Sequence, residues 1–132
     1  MKKILRKLCL VLIAAIIFIG CDIPSLKQKF HPPDWIEGTW TDENNIMIWT
    51  FEPENVILQS NSYSVDFSEM CKPSSVMVDE SISNSYYSFT VETYEYEDIG
   101  GTYEFALTSS TTIDYSITVS GFTIGPITLI LE

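Results

Sequence analysis

From Trp35 to Glu132 apolar and polar residues alternate, and no stretch sustains the ~3.6-residue period of a capped helix. Ile46, Ile48 and Thr50 oppose Met47, Trp49 and Phe51. Tyr87, Phe89, Val91 and Thr93 alternate with Tyr86, Ser88, Thr90 and Glu92. Tyr103, Phe105 and Leu107 alternate with Glu104 and Ala106, and Ile113, Tyr115, Ile117 and Val119 with Asp114, Ser116 and Thr118. Ile127, Leu129 and Leu131 close the series. β-Branched and aromatic residues fill these runs, as a pleated, half-buried surface prefers.

Turn signals separate the runs. They are Asp42-Glu43-Asn44-Asn45, Pro53-Glu54-Asn55, Asn61-Ser62, Lys72-Pro73-Ser74 and Asn84-Ser85. Gly100-Gly101 reads as a hairpin tip, because glycine takes positive φ without penalty, and Gly125-Pro126 as the lead into the last strand. Short strands spaced about 8–12 residues apart predict an all-β domain over residues 35–132. The expected architecture is a small antiparallel meander barrel of about eight strands, with a β-sandwich as the alternative.

The first twenty residues have a different character. Lys2, Lys3, Arg6 and Lys7 precede an unbroken apolar run from Leu8 to Ile19. As a helix that run spans roughly 18 Å, short of the ~30 Å core of a bilayer. A cationic head and a short apolar core are the layout of a secretory signal. The run ends Phe18-Ile19-Gly20-Cys21, which resembles the lipobox of bacterial lipoprotein precursors, with Phe18 where leucine is usual. The resemblance implies a signal peptide at 1–20, cleavage before Cys21, a lipid (palmitate among its acyl chains) on the Cys21 sulfur, and residence in the cell envelope on an inner or outer membrane. Two or three acyl chains hold far more firmly than one. Residues 21–34, with Pro24, Pro32 and Pro33 and the solvated Lys27-Gln28-Lys29, read as a lipidated tether. Its thirteen residues after Cys21 reach at most about 45 Å.

All 18 acidic residues follow residue 20, against three basic ones, Lys27, Lys29 and Lys72, so the mature chain carries a formal charge of −15. Without clustered Lys and Arg it is not a nucleic-acid binder, and docking on anionic headgroups is equally disfavoured. The expected membrane contact is the lipid itself. Cys9 leaves with the signal and Cys21 is in a thioether, so Cys71 stands alone and reads as a small buried residue. No zinc cluster and no cofactor are expected. The single histidine, His31, lies between Phe30 and Pro32, a poor place for a catalytic base, and no catalytic residues or enzyme activity are expected. Acidic clusters at Glu95, Glu97 and Asp98 and at Asp42, Glu43 and Asn44 are conceivable calcium ligands without a known loop spacing.

The first strand opens Trp35-Ile36-Glu37-Gly38-Thr39-Trp40. A glycine two residues before a tryptophan at this point resembles the lipocalin and calycin barrels. The family also packs an arginine over the tryptophan, and none follows residue 20 here. The resemblance implies that Trp40 closes one end of a barrel beneath a ligand cavity. The inward candidates for such a cavity are Trp40, Trp49 (or Ile48 in its place), Phe51, Phe89, Tyr103, Phe105 and Tyr115. Two roles follow. One is binding of a small apolar or amphipathic ligand. The other is a protein-interaction module with a filled core, using Tyr86, Tyr94 and Tyr96 on the outer face. The volume inside the domain separates them.

Overall fold

The computed structural model describes residues 27–71, 76–93 and 99–132. The signal peptide, Cys21, the tether up to residue 26, the Lys72-Pro73-Ser74 turn, Tyr94, Tyr96 and the Glu95, Glu97 and Asp98 cluster lie outside the described residues. Nine strands follow the alternating runs: β1 (Gly38–Thr41), β2 (Met47–Glu52), β3 (Asn55–Ser60), β4 (Ser64–Asp66), β5 (Val76–Ile82), β6 (Tyr86–Thr93), β7 (Gly101–Ser109), β8 (Thr112–Val119) and β9 (Phe122–Leu131). One helical turn, α1 (Phe67–Met70), follows β4. Asp66 caps it, its Oδ1 accepting from Glu69 N at 3.0 Å.

The strands form one antiparallel sheet in the order β4-β3-β2-β1-β9-β8-β7-β6-β5. A sandwich is therefore not formed. The meander runs outwards from a central pairing of the first strand with the last, Trp40 beside Leu131. The sheet curls into a half-barrel, with β4 and β5 as its edges. Registers such as Trp40↔Trp49, Trp49↔Leu58 and Tyr103↔Ile117 put the alternate apolar residues of neighbouring strands on one face. That concave face holds the core.

Antiparallel alternation gives the trough two ends. At the base lie the β2–β3, β5–β6 and β7–β8 turns. At the mouth lie the β1–β2, β3–β4 and β8–β9 turns. The segment ahead of β1 packs on the base. Phe30 has no exposed surface, and its ring meets Phe67 at 6.2 Å and Phe89 at 5.1 Å between centroids. Phe30 N donates to Glu54 O, His31 N to Glu80 Oε1, and Trp35 Nε1 to Ser83 O. Lys27 pairs with Glu69 and Lys29 with Glu54. Residues 27–34, expected as free tether, thus belong to the folded domain. A phenylalanine among prolines has enough apolar area to anchor the backbone that carries it.

Two glycine positions also differ from expectation. Gly101 opens β7 rather than forming a hairpin tip. Its φ is 152°, and a Cβ there would lie 2.9 Å from Thr118 O on β8. Gly125 lies inside β9, where the pairing with β8 shifts register between Tyr115 and Ile117. Its φ is 117°, and a Cβ would stand 2.7 Å from Tyr115 O. This bulge lets β9 begin three residues earlier than Gly125, at Phe122. The true tip is Ser120-Gly121, both at positive φ (51° and 82°), a two-residue turn of the kind that suits strand twist.

Candidate functional site: an apolar cavity at the mouth of the trough

Each inward row changes character along its length. At the base the rows carry rings. Trp49 stacks with Phe51 and Phe67 and meets Tyr103, Phe105 and Tyr115 edge-on or tilted, all within 6.1 Å between centroids. Phe105 in turn packs on Phe51 and Tyr87. Such pairs contribute about 0.5–1.5 kcal/mol each beyond the area they bury. The indole Nε1 of Trp49 has no hydrogen-bond partner among the described residues, which costs about 1–3 kcal/mol. Trp40 Nε1, in contrast, donates to Ile36 O at 2.7 Å.

Towards the mouth the same rows turn aliphatic. β2 ends inward in Met47, β3 in Leu58, β8 in Ile117, and β9 in Ile124 and Ile127. Aliphatic side chains reach less far across the trough than rings do, and a cavity of about 630 Å³ remains. Val65 of β4, Phe67 and Met70 of α1, and Ile99 complete the lining. The cavity is well inside the range of small-molecule sites, roughly 300–1,000 Å³.

Its polar groups are few. Tyr63, Tyr103, Tyr115 and Ser64 line it, and no acidic, basic or histidine side chain does among the described residues. Tyr103 Oη donates to Ile99 O at 2.9 Å. The hydroxyls of Tyr63 and Tyr115 find no partner among the described residues. Burial pushes the Tyr103 phenol well above its ordinary range, with Cys71 and Tyr63 nearby adding to the effect. Burial does the same to Tyr115, helped by Tyr103 and Tyr63. Tyr103 and Tyr115 therefore stay neutral donors and acceptors across the physiological range of pH.

Of the seven inward candidates, Tyr103 and Tyr115 line the cavity. Trp40, Trp49, Phe51, Phe89 and Phe105 are buried in the packed base. Side-chain bulk picks out the residues that fill the base, and the aliphatic lining of the cavity does not stand out by it. The signal was present: Met47 stands two before Trp49 and Ile117 two after Tyr115, on the same face. Ile124 carried no such signal until the Ser120-Gly121 turn was placed.

Other candidate groups have structural work. Asp42 Oδ1 accepts from Ile46 N and Met47 N at 2.7 and 2.8 Å, which ties off the β1–β2 turn. Among the described residues no three His, Cys, Asp or Glu side chains gather as a metal site. Glu80 faces the concave side of β5 and accepts from Tyr87 Oη (2.7 Å) and His31 N (2.8 Å), with His31 Nδ1 at 2.9 Å. Tyr86 lies on the outer face and donates to Glu104 at 2.6 Å. Cys71 is fully buried, and burial raises its thiol to about 12. Comparison with protein families, with curated proteins and with solved structures finds no match.

Proposed function

We propose that this chain is a lipid-anchored, non-enzymatic binding protein of the cell envelope that holds a small apolar or amphipathic ligand in a lipocalin-like half-barrel. The observation that carries the reading is the 630 Å³ apolar cavity, which a filled interaction module would lack. The meander with first strand beside last, and Gly38-Thr39-Trp40 at the opening of β1, support the lipocalin-like part. The lipobox at Cys21 supports the anchor.

Titration of the mature chain with the neutral dye Nile red tests the binding role. We expect saturable, one-to-one fluorescence enhancement, lost in Ile117→Trp, which fills the cavity and leaves the packed base intact. No saturable signal, or equal binding by Ile117→Trp, would contradict the reading. Mass spectrometry of the mature N-terminus tests the anchor: an intact Met1 or an unmodified Cys21 would remove it.

A further inference from the structure

We infer that the ligand is an uncharged amphiphile, an aliphatic body bearing a hydroxyl or carbonyl group, and that carboxylates, phosphates and ammonium ions are excluded. The inference rests on the cavity being a binding site and narrows what it accepts. The described lining offers an ion no opposite charge. Burying an unpaired ion in an apolar site costs far more than burying a hydrogen-bonded neutral group. Lys27 and Lys29 are exposed and already held by Glu69 and Glu54. The acidic charge of the chain repels an anion before it arrives. A cation is drawn to that charge, yet the described lining offers it apolar side chains, three phenols and the Ser64 hydroxyl, and no carboxylate.

The polar groups that are present suit a neutral head. Tyr115 and Tyr63 have hydroxyls without partners among the described residues, each able to donate one hydrogen bond and accept others. Tyr103 spends its proton on Ile99 O and keeps its lone pairs. A hydroxyl head can donate to Tyr103 while accepting from Tyr115 or Tyr63, and a carbonyl can accept from the latter two. The aliphatic rows of Leu58, Ile117 and Ile127 then cover the apolar body.

A matched series tests this: decan-1-ol, decanoate and decylammonium competing with Nile red for the mature chain carrying Cys21→Ser, so that no acyl chain interferes. Decan-1-ol is expected to compete at least about tenfold more tightly than either ion. Tyr115→Phe and Tyr63→Phe should each weaken decan-1-ol by about two- to tenfold, the range of one neutral hydrogen bond, and leave decanoate unchanged. Decanoate or decylammonium competing as well as the alcohol would overturn the inference while leaving the cavity a binding site, as would phenylalanine variants with unaltered alcohol affinity. If Nile red binds and none of the three competes, the ligand class is wrong. If Nile red itself fails to bind, the cavity reading falls and this inference with it.

Discussion

Phe30 and Glu80 together decide where the domain begins. The phenylalanine ring is wedged between Phe67 and Phe89, and the carboxylate beside it takes hydrogen bonds from His31 and from Tyr87. Removing the ring should leave a hole that the stacked aromatics around it cannot collapse into. Phe30→Ala is expected to lower the unfolding free energy by about 3–5 kcal/mol, measured by urea denaturation. A loss below about 1 kcal/mol would show that residues 27–34 are a tether after all. In the sequence this residue was hidden by its neighbours. Pro32 and Pro33 and the lysines around it read as solvated linker, and a single phenylalanine has no periodicity to betray it. The reverse holds for Phe89, Phe105 and Tyr115, whose place on the concave face was readable from alternation alone, whereas alternation left Trp49 and Ile48 as equal candidates until the register with β1 and β3 turned Trp49 inward.

Strands were legible where apolar residues recur at every second position, and less so where a bulge breaks the count. β2, β6, β7 and β8 lie where the alternation put them. β9 begins five residues before Ile127, because Gly125-Pro126 breaks the register and disguised Phe122, Thr123 and Ile124 as loop. The four-residue α1 was also missed, although Asp66 followed by Glu69 three residues later is a helix-start pattern. The bulge matters for the site, since it keeps Ile124 and Ile127 both on the cavity side despite the extra residue between them. Gly125→Ala forces a side chain into a left-handed backbone and against Tyr115 O. It should destabilise the domain by at least about 1–3 kcal/mol and loosen the β8–β9 hairpin first. Hydrogen exchange of the Ile117 and Ile124 amides checks this, and unchanged protection would mean that the bulge does not need its glycine.

At the scale of the molecule, most groups with displaced proton affinities shift in one direction. Burial raises Tyr87, Tyr103 and Tyr115 above the ordinary 10.0, with the Glu80 hydrogen bond adding to Tyr87, and it raises Cys71 from 9.0 to about 12. The folded chain therefore holds these protons more tightly than the unfolded chain. The stability they support is complete below the unfolded values and is lost as pH climbs through them towards the folded ones. The melting temperature should be flat from about pH 7 to 8.5 and fall steadily above about pH 9.5, with the tyrosinate absorbance of the buried phenols appearing together with unfolding. Tyrosinate forming ahead of unfolding would place these rings in contact with water. The division of the trough into a ring-filled base and an aliphatic mouth is the feature from which the functional reading follows. Methyl NMR of the mature chain titrated with decan-1-ol tests it most directly. The expected result is saturable shifts at Leu58, Val65, Ile117, Ile124 and Ile127, with Ile36, Ile113 and Leu129 of the base unmoved. Absence of saturable shifts, or shifts centred on Met77 and Ile82 of the β5 edge, would contradict it.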